Sequence, residues 1–105
     1  MTERHVLPQR RRAETLEVAF GGLDRAHTVT VGYYDDDTIG EVFINGGKSG
    51  EMVESIARDG AVLLSLALQY GVGLSNIKSA ITRDGQDAPA SIIGAVVDRL
   101  SEDAP

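Results

Sequence analysis

A chain of 105 residues, 42% hydrophobic and 25% charged, is long enough for one domain around a single core and too apolar to be disordered throughout. Its net charge of −6 argues against a nucleic-acid-binding body, because phosphate neutralisation supplies most of that affinity. With no cysteine the chain offers no disulfide, no thiolate metal site and no thiol nucleophile. The longest apolar run, Ala61–Leu68, is too short to cross a bilayer. No apolar stretch follows the early arginines, so no secretory signal is read there and a cytoplasmic protein is expected.

Residues 1–13 carry Arg4, His5, Arg10, Arg11 and Arg12 and are broken by Pro8. They read as a basic arm, either solvated or docked on an acidic partner. Leu16, Val18 and Phe20 alternate with Glu17 and Ala19, the period of a strand with one buried face, near 15–20. Gly21-Gly22 supplies a turn able to take positive φ. A second strand, near 27–34, is rich in β-branched and aromatic residues, with Val29, Val31 and Tyr33 on one face. After the polar turn Asp35-Asp36-Asp37-Thr38, a third strand near 39–45 completes an antiparallel hairpin.

From residue 51 the period changes to three and four, predicting a helix near 51–70. Its second half, Ala61–Leu68, is apolar nearly all round and must be covered on several sides. Gly60 in its interior predicts close approach of another backbone, and Gly71 stands where a C′ glycine ends a helix. Shorter helices follow near 75–82, with Ser75 as its cap, and near 89–101, with Asp87 as cap before Pro89. The layout is α+β: about three antiparallel strands, then helices packed on one face of the sheet. Residues 14–101 form the single domain and 102–105 an acidic tail.

Candidate chemistry is sparse. Gly46-Gly47-Lys48-Ser49 joins a strand to a helix, but Val42 stands where a phosphate loop needs its first glycine. Two readings stay open: backbone amides with Lys48 holding an anion or nucleotide, or a turn in which Ser49 caps the helix. Asp35–Asp37 lack the remaining ligands of a calcium loop and read as a solvated turn. His5 and His27 sit in no metal-ligating pattern. Glu41, placed among apolar neighbours, is expected to pair with a helix arginine such as Arg58 or Arg99.

The segments Leu7-Pro8-Gln9-Arg10, Thr30-Val31-Gly32-Tyr33-Tyr34, Gly40-Glu41-Val42-Phe43-Ile44, Lys48-Ser49-Gly50 and Ser65-Leu66-Ala67-Leu68-Gln69-Tyr70-Gly71-Val72 occur in this order. Together they resemble the TSCPD domain, found near the C-terminus of adenosylcobalamin-dependent ribonucleotide reductases. Those enzymes work by radical chemistry with redox-active cysteines, which this chain lacks, and their cysteine-rich tail is missing here. Gly73 also replaces the family's proline. The resemblance therefore implies a relation to ribonucleotide reduction and DNA synthesis, without implying that this chain catalyses it alone.

The expectation is a non-catalytic accessory or regulatory module with no metal or cofactor. It would associate with itself, as a homodimer, or with a reductase-type protein. Val62, Leu63, Leu66 and Tyr70 are the expected interface, because three strands and two short helices leave much of that apolar helix uncovered. A regulatory nucleotide site at Gly46–Ser49 is the alternative; no nucleic acid or membrane is expected as a partner.

Overall fold

The computed structural model describes residues 3–21, 26–46 and 52–103. Three strands, β1 (Ala13–Ala19), β2 (Ala26–Tyr33) and β3 (Ile39–Gly46), form one antiparallel sheet in the order β1-β2-β3. Three helices follow: α1 (Met52–Gln69), α2 (Leu74–Ala80) and α3 (Ile92–Asp103). The α+β layout is the one that the change of hydrophobic period predicts.

Register explains which side chains meet. Leu16, Val29 and Ile44 lie side by side across the sheet, as do Val31 and Val42. Because side chains alternate, these residues share the face that the helices cover. Val29, Val31, Val96 and Val97 are fully shielded, with Ala57, Ala61 and Leu64 of α1 and Ile92 and Leu100 of α3 closing the core. The small residues Ala57 and Ala61 let α1 approach β3 closely.

Local chemistry sets the boundaries. In the β2–β3 hairpin Asp37 takes φ 68, and Asp36 Oδ1 accepts hydrogen bonds from the Thr38 amide and hydroxyl. These hold the Asp36 carboxyl below its ordinary range, the hydroxyl bond being the largest cause. Gly71 (φ 91) ends α1 with paired bonds, Gly71 N to Leu68 O and Val72 N to Ala67 O, each 3.0 Å. That is the Schellman pattern the glycine predicts.

Several expectations give way. Gly60 is approached by a side chain, not a backbone: the side chain of Ile93 fills the space a Cβ would need. Ser75 is not the cap of α2; Gly73 holds that position, and its carbonyl accepts from Asn76 and Ile77. The last helix starts at Ile92 rather than near 89. Ser91 Oγ accepts from Gly94 N at 3.1 Å, while Pro89 pairs with Arg83 in an isolated bridge and Asp87 occupies a turn at φ 62. The proline thus serves the loop before the helix. Glu102 and Asp103, read as part of an acidic tail, belong to the last turn of α3.

Candidate binding surface

Two of the segments that carry the resemblance, Gly40–Ile44 and Ser65–Val72, meet each other in space. β3 is an edge strand, so alternate backbone groups would lack sheet partners. Ser65 and Gln69, four residues apart on α1, satisfy them. Ser65 Oγ accepts from Val42 N at 2.8 Å and lies 3.1 Å from Val42 O and 2.8 Å from Ala61 O. Gln69 Nε2 donates to Gly40 O at 2.8 Å. Two polar side chains in the otherwise apolar second half of the helix therefore clamp α1 to the strand edge.

Gln69 also fixes the N-terminal arm. Only 5% of it is exposed; its Oε1 accepts from Arg4 Nε, and its backbone carbonyl accepts from His5 N at 2.8 Å. The Tyr34 hydroxyl donates to the His5 carbonyl, and the two rings stack with centroids 4.2 Å apart. Burial pushes the Tyr34 phenol above its ordinary range. Leu7 presses against Gly40, where a Cβ would collide with it and with Tyr34. The arm is accordingly a strap across the molecule rather than a solvated tail.

Further along, Arg11 pairs with Glu41, Nε to Oε2 at 2.6 Å and Nη2 to Oε1 at 3.2 Å. This corrects the expected pairing of Glu41 with Arg58 or Arg99. Alternation turns Glu41 away from the helices and onto Gly32, where any Cβ would overlap its carboxylate. Arg58 instead bonds Glu54 one turn back, at 3.1 Å. The early arginines read as a charge run because the side chains that Arg4, Arg11 and Arg12 reach across the fold, Gln69, Glu41 and Asp37, lie dozens of residues away in sequence.

With the strap and clamp in place, the side of α1 opposite the core remains bare. Met52, Ser55, Ile56, Asp59, Leu63 and Leu66 fall on it at helical spacing, with Tyr70 just past its end, so that one hydroxyl and one charge interrupt an otherwise apolar stripe. Met52 is 79% exposed, Ile56 58%, Leu63 68% and the flanking Val62 55%. A groove of about 350 Å³ runs between β3 and α1, beside Arg4 and Arg58, while half-exposed Phe43, like Glu41, is turned to the other face of the sheet. The solvent side of a surface helix is ordinarily polar; here Ser55, Arg58 and Asp59 keep the first half mixed, while the exposed residues of the second half are apolar. Val62, Leu63 and Tyr70 are exposed and Leu66 half-buried, so the four expected interface residues border one surface.

A larger cleft, about 610 Å³, opens between the ends of β2 and α1 and is rimmed by Glu14, Asp36 and Asp37. Its carboxylates are engaged. Glu14 accepts from the Tyr33 hydroxyl at 2.5 Å, Arg12 lies over the Tyr33 ring and reaches Glu14 and Asp37, and Asp36 serves Thr38. No acid and base converge there on open space. Among the described residues no cluster of three or more His, Asp or Glu could hold a metal, and no helix is long and apolar enough to cross a membrane. Of the Gly46–Ser49 loop, Gly46 closes β3 with φ 133; Gly47, Lys48 and Ser49 lie outside the described residues. Beside Gly46, the buried Nδ1 of His27 has no hydrogen-bond partner among the described residues.

The family model for the TSCPD domain matches residues 2–104. The chain is 39% identical over 84 residues, 78% of its length, to a vitamin B12-dependent ribonucleotide reductase of Bradyrhizobium diazoefficiens. It is 38% identical over 82 residues, 76% of its length, to the enzyme of the same name from Agrobacterium fabrum. It spans only 6% of each of those proteins. No solved structure matches it significantly.

Proposed function

Since the chain belongs to the TSCPD domain family, we propose that it is a non-catalytic accessory module connected with ribonucleotide reduction, working by protein–protein association with a second copy or with a reductase-type protein. The observation that carries this reading is the apolar outward face of α1, held in position by the Ser65 and Gln69 clamp. A contiguous exposed apolar surface of that size on a small domain marks an interaction site. The relatives are B12-dependent ribonucleotide reductases by name, which makes such an enzyme the partner to try first. Immobilised chain should retain a purified B12-dependent ribonucleotide reductase, or else self-associate at micromolar concentration. A monomer that retains no reductase would refute the reading.

The alternative is an anion or nucleotide site at Gly46–Ser49, favoured by the unpartnered His27 Nδ1 next to Gly46. Calorimetric titration with ribo- and deoxyribonucleotides tests it. Binding that survives Lys48→Ala unchanged would remove this loop.

A further inference from the structure

We propose that the cleft at the ends of β2 and α1 is a binding site for a small amphipathic organic cation, a compact apolar body carrying a protonated amine. The cleft shares no lining residue with the outward face of α1, so the proposal stands apart from the association reading. Its shape, its charge and a cation already held at its rim carry the argument.

The recess exists because the helix layer stops short of this corner of the sheet. Leu16 lies on the helix-covered face of β1, yet it stays half-buried. So do Ile39 at the start of β3, Leu68 near the end of α1 and Leu74 at the start of α2. Leu100 of α3, buried in the core, completes the apolar lining. These five side chains come from five elements and border about 610 Å³, within the roughly 300–1,000 Å³ of small-molecule sites. A recess assembled from so many elements takes a compact molecule, whereas a bound segment of another protein runs along a sheet edge or a groove.

The charge of the recess is one-sided. Glu14, Asp36 and Asp37 line it and no lysine or arginine does; His5, stacked on Tyr34, is the one base in the lining. Thr38 and Arg12 engage Oδ1 of Asp36 and of Asp37. The Oδ2 atoms of both aspartates accept no hydrogen bond among the described residues. Helix α1 adds its negative end, since Leu68, Gly71 and Val72 line the cleft and its last turn holds no basic residue. A cation already sits at the rim. Arg12 lies over the Tyr33 ring, 3.9 Å from its centroid, and reaches Glu14 at 3.3 Å and Asp37 at 3.2 Å. Arg12 stays out of the lining, so it marks the preference of the rim without filling the recess. The same arrangement repels anions, nucleotides among them.

Tryptamine and indole-3-acetate, alike in shape and opposite in charge, test the proposal on the full chain. The chain has no tryptophan, so the indole fluorescence anisotropy of each probe reads binding directly. Tryptamine should bind with a dissociation constant of about 1 mM or below, and about tenfold or more tighter than indole-3-acetate. Backbone NMR shifts should place it beside Leu16, Leu68 and Leu100. Asp37→Asn suits the φ of 68, because asparagine also takes that region, and should weaken tryptamine by about threefold. Val72→Lys sets an ammonium at a rim position that is 43% exposed; it should weaken tryptamine by about tenfold, with the fold checked by circular dichroism. No saturable tryptamine binding, equal affinity for the two probes, affinity that neither variant changes, or shifts confined to surface away from these leucines overturns the proposal.

Discussion

Replacing Gln69 by alanine tests whether the α1–β3 clamp holds the fold as its geometry indicates. The side chain is 5% exposed and links Gly40 O, at 2.8 Å, to Arg4. Removing it strands the carbonyl of a buried glycine, a loss of about 1–3 kcal/mol. Arg4 is exposed and finds water instead, so that bond contributes only about 0.5 kcal/mol. Alanine returns a few tenths through helix propensity, roughly 0.4 kcal/mol, too little to offset the orphaned carbonyl. The net, about 2 kcal/mol, corresponds to a melting temperature lower by roughly 8–16 °C for a domain of this size. Thermal unfolding followed by far-ultraviolet circular dichroism at pH 7 measures it. Gln69→Glu separates the two contacts: it keeps a partner for Arg4 but points a carboxylate at Gly40 O, and should be no more stable than alanine. A melting temperature within about 2 °C of wild type for Gln69→Ala would show that the clamp is incidental.

Gly32→Ala should destabilise by about 1–3 kcal/mol through overpacking, since its Cβ overlaps the Glu41 carboxylate. Adding Glu41→Ala should recover part of that loss, and chemical denaturation of the two single variants and the double variant reads the coupling. Arg83 grips Asp98 of α3 at 2.6 and 2.9 Å and holds its carboxyl below the ordinary range. Asp98 therefore contributes stability above its unfolded pKa, about 3.9, that is lost as pH falls through the lower folded value. Melting curves from pH 6 down to 2 should accordingly converge for wild type and Asp98→Asn at the acid end, and parallel curves would count against the pairing. Ser65→Ala should leave Val42 N and O unpaired and lower stability by about 1–2 kcal/mol, measured by urea titration.

Much of the fold is legible because it rests on local periodicity. The alternation of Leu16 and Val18 with Glu17, the β-branched run at 28–31 and the apolar recurrence along α1 each declare one element. Gly71 likewise fixes a helix end through its own conformation. What the sequence hides is long-range pairing. Ser65 and Gln69 look like ordinary polar residues in a helix; their spacing of four carries meaning only once β3 is known to be an edge strand alongside. The same holds for Arg4 with Gln69 and Arg11 with Glu41, whose partners lie 65 and 30 residues away. The start of α3 is hidden because the loop before it takes the capping chemistry: Asp84 Oδ1 accepts from the Gln86 and Ala88 amides inside the turn, and Ser91, not Asp87, caps α3. The bare face of α1 is readable, because a segment as apolar as Ala61–Leu68 exceeds what this small sheet can cover. Its occupant is not, since nothing in a single chain's periodicity names a partner.

That face is the centre of the account, and oxidative footprinting of the full chain with mass-spectrometric readout tests it most directly. Labelling of Met52, Ile56 and Leu63 is compared between dilute chain and chain that is concentrated or mixed with a B12-dependent ribonucleotide reductase. The account predicts strong protection of these three residues, while Val6, 74% exposed in the strap, stays labelled. Unchanged labelling of α1 under every condition, with protection arising elsewhere or nowhere, would contradict it.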